Sequence, residues 1–420
     1  WWIAAVMRRP RFAMIAPAMP ASGGNGLAMR LGMFLEALAS AGDTTLLVIP
    51  VAGPADVPPV LAERLGVAVQ VIEISGRADT QFALLSRLAA PAARLAAFRA
   101  YGRPSLAAAL SRPVLADIAA LVTGGAFDLV HVGRLYLGEA ALHHRGAKTI
   151  DIDDDDSFAY RSRGAVLRKQ GNAAAADWAV AESQAFASLA QAILPAYDAV
   201  FSAGGAADAA VPAEAIQNAV TMPRDAAGGG DGRTIVFVGA LGYDVNVDGI
   251  LWFIRAVWPT VRRTSSVALH LLIVGRDAPQ SLRAWDGRAG IAVLGAVDDL
   301  GMVYRRATLA IAPLRSGGGT RIKLIEAAVW RVPFVATPAA AAGLSIGNES
   351  CGWIADGAAD FARAVTGALG DPGERRRRAA RAYSRVRRDH DRPGIVAALA
   401  ERFRAMATST MVRARKGRNP

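Results

Sequence analysis

The segment "PLRSGGGTRIKLIEAAVWRVPFVAT" (313–337) sets three glycines, a threonine, a lysine and a carboxylate in one short stretch. A strand pattern, "TLAIAP" (308–313), leads into Gly317, Gly318 and Gly319, and a helical pattern runs from Thr320 to Trp330. Glycines allow positive φ and let backbone N–H groups come close to a ligand. A helix N-terminus adds N–H groups and partial positive charge, so such a turn favours a phosphate. Thr320, Lys323 and Glu326 recur at i, i+3, i+6 and share one side of the helix. Glu326 then lies about 9 Å along the axis from Thr320. With a diphosphate in the turn, that carboxylate reaches sugar hydroxyls, while Ile322, Ile325 and Val329 turn toward a core. A plain glycine turn beside a surface ion pair would show the same spacing. Two features favour a site: the turn follows the carboxyl end of a strand, and Lys323 is one of only four lysines in an arginine-rich chain. Lysine brings a compact point charge to phosphate.

Other residues compete for a role. His131 ends the strand pattern "FDLVHV" at its carboxyl end and is the candidate from the N-terminal half, against the commoner structural role of a lone histidine. His143, His144, His270 and His390 lie away from such a strand end. The loop "SGGNG" (22–26), with Gly23 and Gly24, precedes a helix bearing Arg30. It reads either as a wall for donor phosphates or acceptor, or as a flexible turn. "DIDDDDS" (151–157) invites a metal, but adjacent side chains in an extended chain alternate and cannot all converge on one ion. A polar loop that lines the cleft or caps a helix is the favoured reading.

These residues need elements to hold them. Short apolar runs at 11–17, 45–51, 67–74, 127–132, 148–152 and 198–203 alternate with helical patterns near 26–41, 81–100, 105–123, 135–144 and 173–193. After the Pro-, Gly- and Asp-rich stretch 221–233, runs at 234–239, 268–275, 291–295, 308–313, 333–337 and 352–354 alternate with helices at 247–262, 279–286, 298–306, 320–330 and 358–369. The alternation predicts two doubly wound, Rossmann-like α/β domains with parallel sheets. The expected division is an N-terminal domain over 1–222, a linker at 223–233, a donor domain over 234–385, and a helix with basic tail over 386–420. Ligands of such sheets bind beyond the carboxyl ends of the strands, so the cleft facing both domains is the expected site.

Composition narrows the class. The 420 residues are 53% hydrophobic and 20% charged, which suits globular domains rather than disorder. No apolar run approaches the ~18 residues of a membrane span. "WWIAAVM" is too short for a signal-peptide core, and Met7 reads as a natural start. The single Cys351 removes any intrachain disulfide or cysteine metal cage. A cytoplasmic protein is expected. The net charge of +12 gathers late, in "ERRRRAARAYSRVRRDH" (374–390) and "MVRARKGRNP" (411–420). That is either a solvated helix face or a surface for anionic lipid at the inner membrane. No aromatic interleaving or motif points to nucleic acid.

The stretch 312–344 resembles the donor-site region of GT-B glycosyltransferases, specifically the retaining group known as family 4 (glycosyl transferases group 1). "FVGALGYDVNVDGILWF" (237–253), "LLIVGRDAP" (271–279) and "PAMPASGGNGLAMRLGMFLEALASAG" (17–42) resemble further segments of that fold. "FDLVHVGRL" and "KTIDIDDDDS" resemble an exopolysaccharide-associated bacterial subgroup. The resemblance implies transfer of a sugar from a nucleotide-diphosphate donor to a carbohydrate or lipid-linked acceptor, with retention, and with neither metal nor cofactor. It implies that Glu326 binds the ribose and that Gly318, Gly319 and Thr320 bind the diphosphate, with Arg321 and Lys323; Gly317 opens the same turn. Many members carry two glutamates with seven residues between them, and Gly318 stands where the first would fall. "GYDVNVD" replaces an Arg/Lys pair, and Asn246 is read as its substitute. A nucleotide-sugar epimerase, a phosphorylase, or a non-catalytic sugar-nucleotide binder remain as alternatives.

Overall fold

The computed structural model describes residues 8–24, 26–77, 79–204, 212–226, 228, 230–297, 299–316 and 322–416, without the side chains of residue 86 and of 411–416. Two compact units form, one from within 1–164, 172–219 and 392–420, the other from within 165–171 and 220–391.

Among the described residues the first unit holds seven parallel strands: β1 (Arg11–Ala16), β2 (Asp43–Val48), β3 (Ala68–Val71), β4 (Leu129–Val132), β5 (Ala147–Asp153), β6 (Ala199–Ser202) and β7 (Glu214–Ala215). Their order is β3-β2-β1-β4-β5-β6-β7. The chain reverses its winding between β1 and β4, the place where doubly wound sheets open a ligand crevice. Unbroken apolar runs form these strands because both faces of the sheet are covered. In β1, Phe12, Met14 and Ala16 enter one core while Ala13 and Ile15 enter the core on the opposite face. The first face is roofed by the helices Gly26–Ala41 and Arg392–Lys416, the latter through Leu399, Ala400, Phe403 and Ala407. The last helix thus packs into the first unit.

Among the described residues the second unit has six parallel strands: β8 (Thr234–Val238), β9 (His270–Val274), β10 (Ile291–Gly295), β11 (Leu309–Ala312), β12 (Phe334–Ala336) and β13 (Trp353–Ile354), ordered β10-β9-β8-β11-β12-β13. Its crevice-forming reversal lies between β8 and β11. Its core spans both faces, from Phe237 and Ile273 to Phe334 and Phe361.

Prolines account for most of the differences in the helices. The pattern at 81–100 splits into Thr80–Arg87 and Pro91–Tyr101, and that at 105–123 becomes Arg112–Gly124 with Ser111 as its cap and Pro113 in its first turn. Proline lacks the N–H a continuous helix requires. Pro259 has the same effect at 253–257, where the ladder slips into a π turn. Residues 135–144, expected as an α-helix, form a 3₁₀ stretch, Leu135–Ala141. The helix Asp156–Lys169 was not expected from the sequence.

Candidate active site

In the second unit the helix Ile322–Val329 follows β11 and buries Leu324, Ile325, Ala327, Ala328 and Val329. This leaves Lys323 and Glu326 on the other side, as their spacing requires. Gly317, Gly318, Gly319, Thr320 and Arg321 lie outside the described residues. The Lys323 Nζ donates to Asn246 Oδ1 at 2.6 Å and lies 4.9 Å from the Phe237 ring centroid. Asn246, in the first turn of the helix Asp244–Trp252, is buried, and its Nδ2 donates to the Ala240 carbonyl at 2.8 Å. That bond fixes the amide so that its oxygen faces the lysine. A Cβ on Gly239, just past β8, would lie 3.2 Å from both Asn246 Nδ2 and Lys323 Nζ. Glycine there leaves the polar ends room at the sheet reversal.

One turn on, Glu326 Oε2 accepts from the Tyr304 hydroxyl at 3.4 Å. Burial pushes the Glu326 carboxyl up to about 7, against the opposing pull of the Tyr304 hydroxyl and Lys323. Tyr304 is itself fully buried, and burial raises its phenol above the ordinary range. Arg315, between β11 and the glycine turn, makes two bonds to Asp248, one of 3.0 Å from Nε. Sequence reasoning missed both Tyr304 and Arg315. Arg315 stood beside the glycine turn and could have been suspected; nothing local marked Tyr304.

In the first unit the expected residues separate. Gly23 and Gly24 are exposed, Gly24 has φ +98°, and no atom lies within 4 Å of a Cβ built on either. Arg30 does not belong to that open loop. Only 2% exposed, it donates Nε and Nη2 to Asp151 at 2.7 and 2.6 Å, and Nη1 to Ile216 O and Asn218 Oδ1 at 2.9 and 3.0 Å. Its contacts join helix 26–41 to β5 and to the segment after β7. Burial works against its charge, and Asp151 and Asp153 more than offset that.

His131 also departs from expectation. Strand alternation sends Val130 and Val132 to one face and His131 to the other, with Leu129. There its ring stacks on Phe34 at 4.5 Å and meets Phe403 at 5.6 Å and Phe201 at 6.3 Å. Its Nδ1 bonds Thr149 Oγ1 at 2.9 Å, and the side chain is fully buried. Burial, aided by Arg30, pushes the imidazole down to about 3, so it is neutral at pH 7. His131 is a core residue and cannot meet a substrate.

The acidic loop after β5 is occupied by arginines and by a cap. Asp151 and Asp153 face Arg30, Asp153 and Asp156 face Arg134, and Asp155 accepts from Ser157 N at 2.8 Å at the start of helix 156–169. Among the described residues, no group of three histidine, cysteine or acidic side chains is arranged to hold a metal ion. The basic helix Pro372–Asp389 spends three arginines on one loop: Arg378, Arg381 and Arg385 donate to the carbonyls of Gly352, Ser350 and Ser345. Arg376 and Arg387 stay exposed. Among the described residues no helix is long and apolar enough to cross a membrane.

Two Rossmann-like parallel sheets, with a lysine, an asparagine and a carboxylate at the carboxyl end of the second, give the architecture of the GT-B fold. Residues 232–371 match the family model Glycosyl transferases group 1. Solved structures agree on the fold. Sucrose-phosphate synthase from Thermosynechococcus elongatus superposes with a TM-score of 0.65 at 15% identity, over 96% of this chain and 100% of that one. HepE from Anabaena, solved with UDP and glucose, gives 0.61 at 13% identity, over 94% and 100%. The lipopolysaccharide outer core galactosyltransferase WaaB gives 0.55 at 12% identity, over 95% and 99%. No curated protein matches the chain in sequence.

Proposed function

We propose that this glycosyltransferase takes a sugar from a nucleoside-diphosphate donor held at the second unit and passes it, with retention, to a carbohydrate or lipid-linked hydroxyl. The observation that carries the donor reading is Lys323, fixed by Asn246 at the β8–β11 reversal with Glu326 one turn away. Lys323 supplies fixed positive charge where a diphosphate would depart, and a charge set in place beforehand needs no reorganisation as the leaving group forms. The resemblance assigns further donors to that diphosphate, the backbone N–H groups of Gly318, Gly319 and Thr320. Glu326, as a carboxylate, accepts hydrogen bonds from ribose hydroxyls. The UDP and glucose found in HepE support a donor of this class. Retention is supported by the resemblance of 312–344 to the retaining group.

With the lysine supplying the charge, the reaction runs without metal or further cofactor. We place the protein in the cytoplasm, and the exposed Arg376 and Arg387 support contact with an anionic membrane face. The test is a thermal-shift screen of UDP, GDP, ADP and their sugars, followed by turnover with the stabilising donor in excess EDTA. One nucleotide should raise the melting temperature, and turnover should survive the chelator. No shift with any nucleotide would remove the donor reading; loss of turnover restored by magnesium would remove metal independence.

A further inference from the structure

The second unit carries a cavity that the donor reading leaves unused. It has a volume of about 460 Å³ and lies at the amino end of the sheet, where Thr308 and Pro333 lead into β11 and β12. Lys323 and Asn246 belong to the opposite, carboxyl end. The far wall is the helix Pro372–Asp389. Its residues Pro372, Arg375, Arg376 and Ala379 stand three and four apart, so they share one face. Ala379 is short, and the stripe therefore borders a hollow instead of filling it. Arg331, on the turn before β12, faces the same hollow.

Arg331 is held there by the way its helix ends. Its N–H bonds the Ala328 carbonyl at 3.0 Å, and the Val332 N–H bonds the Ala327 carbonyl at 2.8 Å. The residue in the middle of such a turn takes a left-handed conformation and is usually glycine. Arginine takes it here, with φ +55°, and its guanidinium lies 4.1 Å from the Tyr383 ring centroid. Arg375 Nη1 is fixed by the carbonyls of Ala368 and Leu369 at 2.7 and 2.5 Å. Arg376 is exposed and pairs with no carboxylate among the described residues. The acids that open the helix are engaged elsewhere: Asp371 caps Glu374 N at 2.8 Å, and Glu374 pairs with Arg377 and Arg378 at 2.7 and 2.8 Å. Burial and Arg376 together pull the Arg375 guanidinium below its ordinary range, against the weaker effect of Asp371. Three guanidinium groups thus border one cavity, and none of the described residues lining it is acidic. A carboxylate ligand would bring one charge and two oxygens. A phosphate brings up to two charges and three oxygens, which suits three planar donors. Of the remaining lining side chains only Thr308 is polar, and its hydroxyl bonds Asp231 at 3.4 Å. The walls therefore offer little to sugar hydroxyls and apolar contact to whatever carries the phosphate.

We propose that Arg331, Arg375 and Arg376 bind a phosphate monoester or diphosphate in this cavity, an anion site separate from the donor site. The body attached to the phosphate is small or apolar. Two sources carry such a group: a phosphate free in solution, and the headgroup of phosphatidic acid. The site is built within the second unit and does not depend on the donor reading.

Calorimetric titration of the full chain with inorganic pyrophosphate, and flotation with phosphatidylcholine vesicles with and without phosphatidic acid, test the site and separate the sources. At least one probe should bind. Arg331→Gly removes one guanidinium without touching the basic helix, and glycine suits φ +55°, so this variant should stay folded. It should bind the probe roughly tenfold more weakly, as loss of a charged hydrogen bond implies. Arg376→Gln, on an exposed helix position, is the second variant and should weaken binding likewise. Binding of pyrophosphate that falls in Arg331→Gly marks a soluble ligand; binding only of phosphatidic acid vesicles, with the same fall, marks the lipid. No binding of either probe, or undiminished binding by both folded variants, overturns the proposal. A loss that follows Lys323→Ala instead of Arg331→Gly overturns it too, because the probe would then sit at the donor site.

Discussion

At the scale of single residues, Lys323 and Glu326 are separable by kinetics. A hydrogen bond to a charged acceptor contributes roughly 1.5–3 kcal/mol. Glu326→Gln should therefore raise the donor KM about tenfold or more with a smaller effect on kcat, because ribose contacts are alike in ground and transition states. Lys323→Ala should lower kcat more than it raises KM, since the charge it faces grows as the diphosphate leaves. A pH profile adds a check. With the Glu326 carboxyl at about 7 in the free protein, only the form above that pH accepts from ribose. The affinity for the donor's nucleoside, which carries no titrating phosphate, should rise with pH through 7, fall below it by no more than Glu326→Gln costs, and become flat in Glu326→Gln. An affinity independent of pH from 5.5 to 8.5 would show that the carboxylate does not hold the ribose. His131 gives the opposite pattern. Packed against Phe34, Phe201 and Phe403, it should cost roughly 2–4 kcal/mol of stability as His131→Ala. Denaturant unfolding should show that loss while kcat per folded molecule is kept; a fall in kcat at parental stability would contradict the core assignment.

At the scale of elements, the last helix and the basic helix make different predictions. Phe403 closes the core above Phe12 and Phe34 from the far end of the chain. Phe403→Ala should cost roughly 3–5 kcal/mol, measured by denaturant unfolding, although the residue lies beyond every expected catalytic segment. A loss under 1 kcal/mol would mean that the 392–416 helix does not complete the first core. On helix 372–389, the stripe Arg378, Arg381 and Arg385 clamps the 345–352 loop, and these arginines are not available to lipid. Any binding to anionic vesicles should then depend on Arg376 and Arg387 and be released by salt as screening shortens. Arg376→Glu with Arg387→Glu should abolish partitioning to phosphatidylserine vesicles, with no change in melting temperature. Equal partitioning of parent and variant would leave these arginines as solvated surface only.

At the scale of the whole molecule, the sequence by itself determined the class: two parallel α/β sheets, their strand positions within a few residues, and a lysine–carboxylate pair on one side of a helix. These are local matters. Apolar runs, glycine turns and an i, i+3 spacing are set by a few consecutive residues and the geometry of one helix or strand. Even here Pro91 and Pro113 broke helices that periodicity had joined, for want of an N–H. What the tertiary structure alone decided was which side chains meet. Arg30 finds Asp151 from 121 residues away, Lys323 finds Asn246 from 77, and Tyr304 meets Glu326 from 22. His131 shows the limit most plainly. Its place near the end of a strand was legible, but the face it takes follows from alternation, and what covers that face is supplied by helix 26–41, β6 and helix 392–416. Arg134 was invisible for the same reason, since its partners exist only once β4 and β5 lie side by side. Local spacing sets the direction of a side chain along its own element, and only packing brings up the partner that gives it a role.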